Sequence, residues 1–222
     1  EDVRALLGPL RGEAIGAQAV LVTATVTRPV QKLLDSALQG LEPVKTDTLH
    51  RSAAEARHSF MPVSGQDKLA ALSDVLKTGA DSHTIVFCNT LGSCRATEHH
   101  LAEAGFRTLC YHGDMPVDER RKAVEEFRGD AGGVLVCTDL AARGLDFGCN
   151  VGHVVMFDFP LNPVDYIHRA GRTARAGNRG RITSLLMRRD LVLAQRIEDA
   201  IRRGETLESL SSSKAKPVAR AK

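Results

Sequence analysis

Tryptophan is absent from this chain of 222 residues, and aromatic residues together make up only 4% of it. That scarcity weighs against a nucleic-acid surface built by stacking rings on bases, the mode of the small sheet and barrel folds that hold single strands. No apolar run approaches the roughly twenty residues needed to span a bilayer, so no membrane partner is expected. There is no initiator methionine and no targeting segment at the start. The chain opens inside an amphipathic pattern, VRALLGPL, as expected of a piece of a longer protein. The five cysteines (Cys88, Cys94, Cys110, Cys137 and Cys149) form no CxxC pair and show no metal-ligand spacing with histidine. Four lie in or beside apolar runs, so buried thiols in a reducing intracellular compartment are expected. Neither a GxxxxGK(S/T) phosphate loop nor a single Gly-Lys dipeptide occurs.

A large excess of one charge is missing too. The net charge is only +3, but its distribution is uneven. Arg169 to Arg181 carries five arginines and no acid, and the last twelve residues, SSSKAKPVARAK, carry four cations and no acid. The second run reads as a disordered, solvated tail over 207–222.

What is present is an alternation. Apolar runs at 19–25, 84–89, 108–113, 133–139, 153–159 and 182–187 are rich in Val, Ile, Phe and Cys and lack polar alternation. They read as strands buried on both faces. Between them, helical patterns cover 67–78, 91–104, 116–129, 163–171 and 189–203, the third opened by Asp114 as cap and Pro116 in the first turn. This order implies a parallel sheet with helices on both faces. Gly113, Gly144 and Gly171 are placed just after strands, where such sheets bind ligands. Residues 1–37 read as a separate unit, 38–58 as a connector without periodicity, and 59–206 as a complete domain.

The densest chemistry lies in Tyr166–Gly177, YIHRAGRTARAG. Small spacers let the backbone approach a charged partner. Arg172 and Arg175, one helical turn apart, are expected to point the same way and to grip phosphate oxygens with planar forks. Three further pieces precede it in order: IVFCNT (85–90), YHGDMPVDERR (111–121) and VCTDLAARGLDF (136–147). In the third, Gly144 permits close backbone approach, and Asp146 stands ready to accept from a ligand hydroxyl; taken alone, Asp146 reads as a loop or capping carboxylate. Asp139 and Arg169 read as a structural ion pair between two loops, ahead of any direct substrate role.

These four pieces in this order resemble the C-terminal RecA-like domain of a DEAD-box RNA helicase, over roughly residues 59–206. Phrases such as VFCNTLGS and VVMFDFP resemble the chloroplast members from plants. Thr23, Ala24 and Thr25 resemble the Ser-Ala-Thr motif that ends the family's first RecA-like domain. The resemblance implies an α/β fold, a RecA-like three-layer sandwich, preceded by the end of that first domain. It implies ATP with Mg2+ as cofactor, bound mainly by the other lobe, and RNA as partner, with ribosomal RNA or a pre-ribosomal particle and the chloroplast stroma as finer expectations. By the same resemblance Arg172 and Arg175 are arginine fingers on the ATP phosphates, and His168 couples to the water network at the lobe interface. Asp146 contacts the ATP ribose beside Gly144. Thr90, Gly113, Asp114, Arg120 and Thr138 hold the RNA backbone, and Phe87 supports the arginine loop from behind. Where the family often has Gln, three residues before Arg120, this chain has Val117. A lone His168 otherwise reads as a structural residue.

Two rival readings remain at this stage: a non-catalytic RNA- or partner-binding module, and a DNA-acting helicase of superfamily two. The chain holds no DEAD or DExH sequence; Asp118–Glu119 is followed by two arginines and lies on a predicted helix. Without a phosphate cradle and a metal carboxylate, ATP cannot be positioned. Residues 1–222 alone should therefore release no phosphate from ATP above a buffer blank in the presence of RNA. Release that disappears in Arg172→Ala would contradict this.

Overall fold

The computed structural model describes residues 20–23, 25–26, 28–37, 42–44, 55–63, 67–79, 83–142, 147–175, 177–207 and 210. The chain divides into two compact units, Glu1–His50 and Arg51–Lys222. In the first, helix α1 spans Arg28–Ala37. The described residues of 19–25 are not in a strand, contrary to expectation. A strand is held by hydrogen bonds to neighbours, and this unit has no other strand among its described residues to supply them. Val20 and Val22 are accordingly exposed. Thr23 and Thr25 instead close a local turn, Thr23 Oγ1 donating to Thr25 O at 2.8 Å.

The second unit is built on one sheet of six parallel strands: β1 (Ala56–Pro62), β2 (His83–Phe87), β3 (Thr108–Tyr111), β4 (Gly133–Cys137), β5 (His153–Met156) and β6 (Gly180–Leu186). Their order is β1-β6-β5-β2-β4-β3. Central strand β2 is buried throughout, so its side chains alternate between two cores. Ile85 and Phe87 join Leu135, Val154 and Met156 against helices α4 (Val117–Arg128), α5 (Pro163–Ala170) and α6 (Leu191–Arg203). Val86 and Cys88 join Val134, Val136 and Val155 against helices α2 (Lys68–Lys77) and α3 (Leu91–Glu103). Helices thus cover both faces, as the apolar runs implied.

Strand β1 begins at Ala56, inside the stretch read as a connector. It lies at the sheet edge beside β6, and exposed Arg57 and Ser59 break its apolar pattern. An edge strand is not buried on both faces, which is why the run was not legible. Two other details differ. Pro116, not Asp114, is the residue that caps α4, with no side-chain hydrogen bond. Leu207, placed with the tail, is buried in the core that holds α6; residues 211–222 lie outside the described ones.

Strand β1 docks on α5 through His58, whose Nδ1 is 2.6 Å from the Tyr166 hydroxyl. Burial drives the His58 pKa down to about 4. In the unfolded chain it returns to about 6.5, so between those values the unfolded state takes up a proton that the native state refuses. This contribution is complete above about pH 6.5 and is lost as pH falls towards 4. Urea midpoints measured from pH 7.5 to 4.5 should fall through that window, and His58→Phe should flatten the fall. An unchanged slope in the variant would assign the acid sensitivity elsewhere.

Candidate functional site

The carboxyl ends of β2, β4 and β5 converge on one buried cation. Arg169, only 1% exposed, donates from Nε to Asp139 Oδ1 at 2.6 Å and from Nη2 to Asp139 Oδ2 at 2.9 Å. Nη1 reaches Asp158 O at 2.7 Å, Nη2 also reaches Asn89 Oδ1 at 2.6 Å, and the guanidinium lies 5.4 Å from the centre of the Phe87 ring. The structural ion pair is therefore observed, but it joins the last turn of the helix Pro163–Ala170 to the 3-10 turn Asp139–Ala142 rather than two loops. Phe87, fully buried, backs Arg169.

A second tier braces this centre. Asp158 accepts from Lys68 Nζ at 2.7 Å, Ser93 Oγ at 2.6 Å and Asn89 N at 3.0 Å. Burial pushes its carboxyl pKa up, but these three donors outweigh burial and hold it below the ordinary range. Asn89, Lys68 and Asp158 were not singled out from sequence. The usable signal was a polar residue directly after a strand with two buried faces, as in VFCN and MFD.

Helix α5 is capped by Asn162, whose side chain accepts from Asp165 N, with Pro163 in its first turn. It ends at Ala170, and Gly171 is its C-cap, so Gly171 follows a helix, not a strand. Arg172 and Arg175 consequently do not share a helical face. Each turns back instead onto the end of α5: Arg172 Nε donates to His168 O at 3.2 Å and Arg175 Nε to Gly171 O at 2.6 Å. Cations at the carbonyl end of a helix are stabilised there. His168 itself is half-buried in the last turn of α5.

Thr173 ties the arginine loop to the chain before β5. It is 1% exposed and donates from Oγ1 to Val151 O. The next residue, Ala174, has φ +53°, a conformation that costs an L-residue energy and persists only where its surroundings impose it. Gly180, at the start of β6, leaves the room: a Cβ there would lie 2.1 Å from Thr173 Oγ1. Arg172 and Arg175 thereby line a cavity of about 250 Å³ with Gly148, Cys149, Asn150 and Val151. Gly144 and Asp146 lie outside the described residues.

The other expected contacts lie at the strand ends. Thr90 follows β2, Thr138 follows β4 and Gly113–Asp114 follow β3, and the order β2-β4-β3 sets Thr138 between the other two. Thr138 N donates to Tyr111 O at 3.3 Å, tying the middle end to the outer one. Thr90 is the exposed cap of α3, its Oγ1 accepting from Ser93 N at 3.1 Å, which leaves the hydroxyl proton to donate outward. Gly113 and Asp114 are exposed, and Asp114 is 4.0 Å from Arg95 in a solvent-facing pair of little energetic weight. Arg120 is half-buried in the first turn of α4.

Residues 67–177, half of the chain, match the helicase conserved C-terminal domain. Over 221 residues the chain is 50% identical to the Arabidopsis thaliana protein named DEAD-box ATP-dependent RNA helicase 39. The chain belongs to the DEAD-box helicase family. Its match covers 95% of this chain and 35% of that relative. A match to the ATP-dependent rRNA helicase RRP3 of Encephalitozoon cuniculi is 33% identical and covers 89% of this chain and 48% of that one. The chain thus spans between a third and a half of the length of these helicases. Among solved structures, Mss116p bound to ssRNA and AMP-PNP superposes with a TM-score of 0.74 at 27% identity, over 90% of this chain and 43% of that chain.

The geometry separates scaffold from surface in this helicase domain. Asp139→Ala leaves the Arg169 charge buried without its carboxylate and should cost about 3 kcal/mol, the low end for a broken buried pair because Asp139 is 36% exposed. Arg175→Ala, at an exposed position, should cost less than about 0.5 kcal/mol. Equilibrium urea unfolding of both variants checks this; equal losses would mean that Arg169 is not the structural centre.

Proposed function

We propose that the domain is the second lobe of an ATP-dependent RNA helicase, supplying Arg172 and Arg175 to the nucleotide and the strand-end groups to the RNA backbone. The observation that carries this reading is the pair of guanidinium-bearing residues beside the 148–151 cavity, on a loop pinned by Thr173 and anchored through Arg169. Two planar cations beside a glycine fit a polyphosphate. ATP supplies the γ-phosphoryl group whose transfer drives the lobes through a cycle. Mg2+ belongs to the same reading, since such an ion is held by one or two carboxylates together with the phosphates and waters.

In this arrangement each guanidinium makes one donation to a neutral carbonyl oxygen, Arg172 to His168 and Arg175 to Gly171. Engaging a phosphate exchanges those acceptors for charged ones without moving α5, because Arg169 and Thr173 hold the loop's base. The arginines then act on charge that develops during transfer, which favours the transition state over the bound nucleotide. At the strand ends, the Thr90 and Thr138 hydroxyls and the Gly113–Asp114 turn suit phosphate and sugar contacts, with Arg120 as the nearby cation. None of the exposed large apolar residues described is aromatic, which supports backbone holding over base stacking. Ribosomal RNA is the finer substrate reading and rests on the name of the Encephalitozoon relative.

In the intact protein, Arg172→Lys and Arg175→Lys should each lower turnover by roughly a hundredfold or more, with a smaller change in nucleotide affinity. A compact ammonium cannot reproduce a two-pronged contact. Melting temperature measured beside turnover decides the matter: activity that falls only in step with stability would make both residues scaffold.

A further inference from the structure

Three of the five cysteines lie together under the strand ends. The registers Cys110↔Val136 and Val86↔Val136 put Cys110 on the same side of the sheet as the core of α2 and α3. There it meets Cys94, in the first turn of α3, with the two sulfurs 3.6 Å apart. Cys88, at the end of β2, is buried beside them with its sulfur 3.7 Å from Thr97 Oγ1. Cys94 is fully buried and Cys110 half-buried, so Cys110 is the more exposed residue of the two and the one a small reagent should meet first. Cys137 packs in the opposite core, and Cys149 borders that core too.

We infer that Cys94 and Cys110 are a disulfide-forming pair, entered at Cys110 by a low-molecular-weight disulfide. The Cys94 hydrogen bond holds the Cys110 thiol below its ordinary pKa against burial, and the same contact pushes Cys94 above its own; the entry sulfur is thus the better thiolate. In the first step the Cys110 thiolate attacks one sulfur of the reagent, whose S–S bond breaks and releases one small thiolate. In the second the Cys94 thiolate attacks the Cys110 sulfur, forming the protein disulfide and releasing the second small thiolate. The two cysteine protons end on the two departing thiolates, and two electrons reduce the reagent. The sulfurs close from 3.6 Å to about 2.05 Å.

That contraction has a defined lever. Cys94 N donates to Thr90 O at 3.0 Å, and Cys110 lies three residues before Gly113. The bond therefore draws the end that carries Thr90 towards β3, the strand that Gly113 follows. The consequence for RNA rests on the reading of those residues as backbone contacts: oxidation should weaken RNA binding.

The test treats the purified chain with glutathione disulfide, blocks remaining thiols by alkylation and maps the peptides. The expected map has three of the five thiols alkylated and one cross-link joining the Cys94 and Cys110 peptides. Cys94→Ser should stop at a glutathione adduct on Cys110, Cys110→Ser should form no link, and Cys149→Ser should behave as wild type. A wild-type map with no link, with a Cys88–Cys94 link, or with a lasting glutathione adduct on Cys110 overturns the pairing. Binding of a labelled single-stranded RNA, followed by anisotropy, should weaken several-fold on oxidation, recover with dithiothreitol and stay constant in Cys110→Ser. Unchanged binding by the linked chain overturns the RNA consequence alone. Absence of binding by the reduced chain overturns the RNA reading, while the peptide map still decides the pair.

Discussion

A guanidinium removed almost wholly from water is tolerable only if each of its directions is answered, and in this domain Arg169 meets that condition. The carboxylate of Asp139 takes one edge in two bonds, the Asp158 carbonyl and the Asn89 side chain take the rest, and the Phe87 ring covers a face. Removing any one partner leaves a desolvated cation, a penalty far larger than the net worth of an ordinary hydrogen bond. The ends of β2, β4 and β5 and the last turn of α5 are consequently held in a single arrangement. A lysine would not do this, because a point charge on a flexible stem lacks the fork.

Two surfaces depend on that centre. On one side are the groups after β2, β3 and β4; on the other is the arginine loop, which leaves α5 after Ala170, one residue beyond Arg169. The loop adds its own constraint at Thr173, whose bond to Val151 and clearance over Gly180 hold Ala174 at a positive φ. Asp139 belongs to both sides, for it follows Thr138 by one residue and grips Arg169. Strain or displacement at either surface is therefore felt through packed, hydrogen-bonded groups rather than through flexible chain.

Much of this was legible in the residues. Five of the six strands of the larger unit announced themselves as short apolar runs: β2, β4, β5 and β6 lie inside the sheet and bury both faces, and edge strand β3 is half-buried along its whole length, so none needs polar alternation. The five helices of that unit were legible from their period and from signals such as Pro163. Strand β1 was hidden because an edge strand keeps Arg57 and Ser59 in solvent. The run at 19–25 has the composition of a strand, but composition does not provide hydrogen-bonding neighbours.

The sequence by itself determined the alternation of elements, the two-sided burial of the central strands, the family, and the identity of the cations at 169, 172 and 175. These follow from local composition and spacing, which the chain carries wherever it folds. Tertiary structure alone decided the strand order that sets Thr138 between Thr90 and Gly113, and the meeting of Asn89, Asp139 and Asp158 on Arg169 across 80, 30 and 11 residues of chain. It also decided that α5 stops at Ala170, so that Arg172 and Arg175 fold back on its carbonyls instead of sharing a face, and that Cys94 and Cys110 touch. The physical reason is common to all of these: each depends on which element packs beside which, and residue spacing within an element carries no record of its neighbours.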